Sequence, residues 1–454
     1  MDMRIETEPS FVPTAPPRGR RPPPIWKMFL GEVSRNPVAA CCQQDFRELY
    51  STRPVLGLTY HAINDPEGIA RILLANQANY IKPRMLARVL PELEEGLFGA
   101  DGASWRAQRR LMAPVFTPAA VTEFMAIFTE VARHCSEAWT PGPMDMAQMA
   151  TSATFDVIGR ALFSSEQGLS SDEAARHVAA ALAGAGRPKL SMFFPRLGWI
   201  DGLGASAKGQ AFLRERIGAF IAARQANPHA PTDFMTRLIE AFAAEHPRKE
   251  AARLALSNAF TFLIAGHETT ANALAWTLYL LSQQPQAQAW AAEEARAALS
   301  SGLPDPDVLG RLVYLRWVLD EAMRLYPPVL RIDREAAEDD QVGPLCIKKG
   351  DFVGVWPWTV HRHEALWTNP DGFDPERFAP EARAAQHRFQ YLPFGAGPRV
   401  CIGAQFATAE ALLMLSQWLA RFSFAPVPGH KVEVASDIAL RPRGGLPLIV
   451  SRRP

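Results

Sequence analysis

The chain has 454 residues, of which 48% are hydrophobic and 21% charged, the balance of an ordinary globular protein with ample core. Its 48 basic and 47 acidic side chains leave a formal charge of +1, which argues against a nucleic-acid partner, and its five irregularly spaced cysteines fit reduced thiols better than a disulfide framework. No apolar run approaches the roughly 18 residues of a membrane span and no signal-peptide core opens the chain, so a cytoplasmic protein without a transmembrane anchor is expected.

In chain order, residues 1–24 are rich in Pro and Arg (Pro13, Pro16, Pro17, Arg18, Arg20, Arg21), a composition that cannot build a core, and predict an extended or disordered arm. Val55 to Tyr60 reads as a hairpin strand, followed by a helix capped by Asp65 with Pro66 in its first turn. On the next helical stretch Trp105 and Arg109 lie four apart on one face, so an indole N–H and a guanidinium can meet one anion, while Arg106 and Arg110 point elsewhere. A Trp among basic residues is also what a solvated face with an aromatic anchor looks like. The region from Phe155 to Arg224 reads as helices interrupted at Gly184 to Trp199. That interruption carries more large apolar side chains than an exposed loop should, and the plain reading is that they pack on neighbouring helices.

Residues 252–283 form the longest helical pattern, and it contains Ala265-Gly266-His267-Glu268-Thr269-Thr270. Glycine and polar residues in mid-helix are locally costly, as expected of a functional site, although a kink with threonines bonded back to carbonyls would also account for them. Glu321-x-x-Arg324 lies on a later helix ended by Pro327 and Pro328. The same spacing recurs at Glu130/Arg133, Glu173/Arg176, Glu250/Arg253 and Glu293/Arg296, where surface pairs are expected. Leu345 to Val360 carries a hairpin signal at Lys349-Gly350-Asp351, and His361 and His363 read as surface, hydrogen-bonding groups rather than a metal pair. The tail ends in Pro447 to Val450, a closing strand.

The most specific stretch is Phe394-Gly395-Ala396-Gly397-Pro398-Arg399-Val400-Cys401-Ile402-Gly403, leading into an apolar helix through Leu419. A free cysteine is most often a small buried hydrophobe. At a helix start, however, the unpaired N–H groups favour the thiolate, the form that binds metal. Gly397 and Gly403 spare a Cβ where backbone must approach a flat cofactor, and Arg399 can reach an anionic group from the same loop.

Spaced as Phe-x-x-Gly-x-Arg-x-Cys-x-Gly, this stretch resembles the heme-binding signature of the cytochrome P450 superfamily, and the other motifs fall in that family's order from about residue 40 onward. The resemblance implies a mainly α fold with small β-sheets, a single large domain over residues 25–454, and heme b buried between the central helix and the cysteine loop. Cys401 takes the place of the iron ligand within the Phe394 signature. Trp105, Arg109, Arg399 and Arg334 take the places of propionate donors, with Arg331 a competitor for the last. Ala265 and Gly266 let the central helix pass close over the heme, Glu268 and Thr269 match its acid and alcohol positions, and Glu321, Arg324 and Arg377 match its structural triad. For Leu190 to Trp199 the resemblance implies a mobile lid over a hydrophobic substrate channel.

The activity implied is monooxygenation: one atom of dioxygen enters a C–H bond or alkene of a lipophilic small molecule, such as a fatty acid, terpenoid or steroid. Electrons would come from NAD(P)H indirectly, through a ferredoxin-type donor and its reductase, and Arg106 and Arg110 would face the side on which an acidic donor docks. A monomer is expected. A peroxide-dependent heme-thiolate enzyme and a non-catalytic heme sensor are the alternatives; the acid–alcohol pair argues against the first, and sustained turnover with an electron donor would exclude the second.

Overall fold

The computed structural model describes residues 11–28, 31–55, 57–83, 93–164, 172–182, 205–227, 233–300, 307–436 and 439–454. The fold is organised on the helix Arg248–Ser282, 35 residues long and buried on nearly every side. A helix that is apolar all round belongs in a core. The helices Met146–Phe163, Phe234–Glu245, Val313–Leu325 and Ala404–Arg421 pack against it. Among the described residues the β structure is small: one five-stranded sheet, one of three strands and two two-stranded ribbons. The mainly α reading with small sheets therefore holds.

Several local expectations shift by a few residues. The apolar stretch Val55 to Tyr60 straddles a turn rather than forming one strand: Tyr50–Val55 pairs antiparallel with Leu58–Ile63 across Gly57, which has φ 82°. Asp65 does cap the next helix, its carboxylate accepting the Gly68 N–H at 2.8 Å with Pro66 in the first position. The turn at Lys348 to Asp351 does not close a simple hairpin, because Leu345–Ile347 pairs with Asp340–Val342 while Phe352–Val355 joins the five-stranded sheet. The closing strand Pro447–Arg452 is the middle strand of its sheet.

Residues 11–24 run extended along the body, a short 3-10 turn following from Ile25. The Phe11 carbonyl accepts the Phe373 N–H at 2.9 Å, and the Thr14 carbonyl accepts the Tyr326 hydroxyl at 2.7 Å. Arg18 pairs with Asp371 and lies 3.7 Å over the Phe46 ring. Proline-rich chain has no ladder of its own to offer, so its carbonyls and its one well-placed cation are satisfied by the body.

Glu321, Arg324 and Arg377 meet in the interior. Arg324 is fully buried and donates Nε to Glu321 Oε2 at 2.6 Å and Nη2 to Oε1 at 2.8 Å. Its remaining donors reach the carbonyls of His361, Pro370 and Gly372 at 2.6–2.9 Å. Arg377 approaches Glu321 at 3.6 Å and bonds the Thr368 and Asn369 carbonyls. The identical spacings elsewhere choose other partners: Arg133 pairs with Glu137, Glu130 takes Arg160, Arg253 pairs with Glu95, and Arg296 bonds the carbonyls of Ala420 and Pro454. The surface reading of His361 and His363 is corrected. Both are fully buried, and His361 Nε2 accepts the Leu392 N–H at 2.8 Å, with its carbonyl held by Arg324. The loop they belong to is pinned inward by the triad.

Candidate active site

Cys401 lies three residues before the helix Ala404–Arg421, in a loop closed by its own N–H donating to the Phe394 carbonyl at 2.9 Å. Its side chain retains accessible surface although protein encloses it deeply enough for burial to raise the thiol pKa; the Gly403 N–H and the Arg109 charge pull the other way. The helix start alone thus does not deliver a thiolate here, because desolvation outweighs it. Arg109 Nη1 donates to the Val400 carbonyl at 2.7 Å, bringing the Trp105 helix, Gly102–Met112, against the cysteine loop.

The reason for one glycine differs from the sequence reading. A Cβ on Gly397, whose φ is 70°, would sit 1.8 Å from the Leu73 carbonyl oxygen, so that glycine admits a close crossing of backbone on the far side rather than a cofactor. At Gly403 the nearest atom a Cβ would meet is Cys401 Sγ, at 4.0 Å.

Beside the loop, cations gather around one acid. Arg399 pairs with Asp101, donates to the Ala100 carbonyl at 3.0 Å, and lies 4.5 Å over the Trp105 ring. Burial, reinforced by the Arg399 charge, lowers the pKa of Arg334 to about 10 and that of Lys82 to about 7. Arg331, the competitor, is engaged elsewhere: it pairs with Asp333 at 3.1 Å and stacks over Trp356. Arg106 and Arg110 are exposed, on the other side of their helix from buried Trp105. Three semi-buried cations, Lys82, Arg334 and Arg399, repel one another with only Asp101 and, beside Arg334, Asp333 to offset them, a donor set suited to further carboxylates, as the rim of a heme would supply. The cluster and the accessible sulfur together fit that group.

On the central helix, Ala265 is exposed while Leu263, Ile264, His267 and Thr270 around it are buried, so one strip of an otherwise enclosed helix faces open space. Glu268 and Thr269 are partly exposed beside it. Gly266 is not on that strip: a Cβ there would meet Ile158 Cδ1 at 2.6 Å, so its smallness serves helix packing. Both threonines do bond back along the helix, Thr269 to the Ala265 carbonyl at 2.8 Å and Thr270 to Gly266 at 3.4 Å. His267 is buried, its ring 5.3 Å from Phe155 edge-on, and burial lowers its pKa to about 4, leaving it a neutral packing residue.

Two residues escaped the motif reading. Lys82 sits in no recognisable pattern; only its place in space marks it, its ammonium 4.6 Å over the Phe98 ring. Glu410, on the cysteine helix, is fully buried, and neither carboxylate oxygen accepts a hydrogen bond of ordinary geometry. Burial raises its pKa well above normal, opposed by the Thr270 hydroxyl across the helix interface. An acidic residue inside Ala409-Glu410-Ala411-Leu412 was the available signal. The apolar stretch Leu190 to Trp199, read as a possible lid, lies outside the described residues, as do residues 84–92.

A family model described as Cytochrome P450 matches residues 16–446. Cyclooctatin synthase of Streptomyces melanosporofaciens is 30% identical over 383 residues, 83% of each chain. The 11-oxo-beta-amyrin 30-oxidase of Glycyrrhiza uralensis is 29% identical over 416 residues, 86% of this chain and 78% of that one. The crystal structure of the cytochrome P450DA heme domain superposes with a TM-score of 0.81 at 26% identity, covering 97% of this chain and 99% of that one.

Proposed function

Since this chain belongs to the cytochrome P450 family and is a heme-binding P450 monooxygenase, we propose that Cys401 is its iron ligand and that Arg399, Arg334, Arg109, Trp105 and Lys82 hold the heme carboxylates. The observation that carries the assignment is the exposed Cys401 beside a cluster of mutually repelling cations that Asp101 and Asp333 only partly offset. When bound, the heme iron supplies dioxygen activation, and a thiolate ligand favours O–O cleavage.

The chain's own residues do the rest. Ala265 leaves room on the open strip of the central helix for dioxygen and substrate. Thr269 is the hydroxyl on that strip; it donates to the Ala265 carbonyl at 2.8 Å, and its lone pairs can accept a proton-bearing partner. Glu268, one residue before it, supplies the exchangeable proton from the partly solvated side. Gly266 acts indirectly, seating the helix on Ile158 so that the strip holds its height.

The substrate in this reading is a lipophilic molecule of fatty-acid, terpenoid or steroid type, supported by the aliphatic and aromatic residues that the sequence carries in the stretches Leu86 to Phe98 and Leu190 to Trp199. Electrons reach the site from a separate ferredoxin-type donor and reductase, with exposed Arg106 and Arg110 on the docking side. Titrating the ferric protein with dodecanoic acid, a terpene alcohol and a steroid, and watching the Soret band, identifies the class. Turnover of the responding class under labelled dioxygen with a surrogate ferredoxin should place one labelled atom in the product. Product formed equally well from peroxide alone, with no donor needed, would favour the peroxide-dependent alternative.

A further inference from the structure

Asp101 occupies the N-cap position of the helix Gly102–Met112, yet its side chain makes no capping bond there. An aspartate in that place ordinarily accepts an N–H from the first turn of its own helix. Here Gly102 follows with φ 57°, a left-handed turn that glycine adopts freely, and the carboxylate is directed to other parts of the chain. Its Oδ1 pairs with Arg399, and its Oδ2 accepts the Lys82 N–H at 3.0 Å.

Arg399 is gripped on three sides by this one turn and the helix it opens. The Ala100 carbonyl accepts Nη1 at 3.0 Å, Asp101 takes Nη2, and the Trp105 ring lies 4.5 Å from the guanidinium carbon. Arg399, Lys82 and Arg334 all have Asp101 as a counter-charge, which opposes the burial that lowers the pKa of each. Asp333, the other acid beside Arg334, is occupied by Arg331 at 3.1 Å and by the Tyr60 hydroxyl at 2.9 Å. Arg109 offsets a different charge, that of the Cys401 sulfur.

The charges at the rim therefore balance only with Asp101 counted. Heme b brings two carboxylates to these three cations, and Asp101 is the third. An acid among carboxylate donors weakens their pull on the heme, so binding alone does not account for it. Without Asp101 the rim would keep one uncompensated positive charge. A positive charge near a redox iron favours the ferrous state, which carries one positive charge less than the ferric.

We propose that Asp101 is a redox-setting carboxylate: it holds Arg399, balances the cation cluster, and so keeps the heme iron harder to reduce than the cations alone would make it. The proposal rests on the heme reading above. Asp101 acts through Arg399 and Lys82, so it is a positioning residue, and the fitting readout is a potential, which a merely structural brace would not move in one direction. The experiment is a spectroelectrochemical titration of the holoprotein with saturating imidazole in every variant, so that the ligand opposite the sulfur and the spin state are the same throughout.

At an effective dielectric of about 20, a unit charge about 12 Å from a redox centre shifts its equilibrium about tenfold. Asp101→Asn should therefore raise the ferrous-to-ferric ratio at a fixed applied potential about tenfold, the equivalent of about 59 mV for one electron. Asparagine keeps the shape and can still accept the Lys82 N–H. Asp101→Glu, which keeps the charge, should leave the ratio near the wild-type value. Asp101→Ser, neutral and shorter, should shift upward like the asparagine variant, and it carries the test if that variant fails to fold. A ratio that stays level or falls in the neutral variants, or that rises as much in Asp101→Glu, would overturn the proposal. A wild-type protein that shows no Soret shift with imidazole at all would instead remove the heme reading on which it stands.

Discussion

Exchanging Glu410 for glutamine isolates the cost of a carboxyl buried with little to bond it. Glu410 is fully buried, neither oxygen accepts a hydrogen bond of ordinary geometry, and burial, opposed only by the Thr270 hydroxyl, raises its pKa well above the ordinary carboxylate range. In the unfolded chain the same group ionises near pH 4.3. A carboxyl whose folded pKa is raised contributes its full share of stability below the unfolded value and loses it as pH climbs toward the folded value. In that window unfolding releases one proton, so stability falls by up to about 1.4 kcal/mol per pH unit.

Glu410→Gln keeps the shape and stays neutral, and it should therefore match the wild type within about 1 kcal/mol at pH 4–5. By pH 7 it should be the more stable protein, and the gap should widen further toward the folded pKa. The assay is the urea midpoint of the holoprotein by far-ultraviolet circular dichroism at pH 5, 7 and 8.5, with the slope m checked for constancy. A gap that does not grow with pH would mean the carboxylate is ionised in the folded protein, and the argument from burial would fail.

Arg324→Met should cost about 3–5 kcal/mol by leaving the buried Glu321 with only the more distant Arg377 as a counter-charge, read as a lowered urea midpoint; a loss under 1 kcal/mol would contradict a buried bracing role. Gly397→Ala should lower the yield of heme-loaded protein, because the new methyl meets the Leu73 carbonyl and φ stays positive; normal loading would show that the loop relaxes away. Heme uptake by the apoprotein should weaken above about pH 7, where Lys82 becomes neutral before it binds a carboxylate, and Lys82→Met should flatten that dependence. An unchanged pH slope in Lys82→Met would take Lys82 out of the carboxylate site. Thr269→Ala should divert reducing equivalents to peroxide, measured as peroxide formed per NADPH consumed, and unchanged coupling would place the proton path elsewhere.

The long-range frame was readable because its motifs carry chemistry that apolar patterning alone cannot explain. Cys401 with Arg399 and the polar residues of the central helix stand out from the sequence, Glu321 with Arg324 is marked only by its place in the order of motifs, and the fold brings Arg109 to the cysteine loop and Asp101 to Arg399. What sequence hides is the far side of each contact. Gly266 and Gly397 are small because of Ile158 and Leu73, residues more than 100 positions away in each case, and no local pattern names them. Lys82 and Glu410 matter through burial, which a periodicity can suggest but not assign. Short β elements were misplaced by a few residues because a two-residue turn at Gly57 falls inside an apolar stretch, and there turn geometry outweighs hydrophobicity. The histidines at 361 and 363 were read as surface groups because the Arg324 bonds that draw their loop inward come from another helix.

The account turns on Cys401 as the iron ligand, and the carbon monoxide spectrum of the reduced protein tests it most directly. The wild type should show the red-shifted Soret band of a thiolate-ligated carbonyl, and Cys401→Ser should lose it while any heme it retains shows the ordinary band. A Cys401→Ser protein that keeps the red-shifted band would contradict the assignment and every role built around that sulfur.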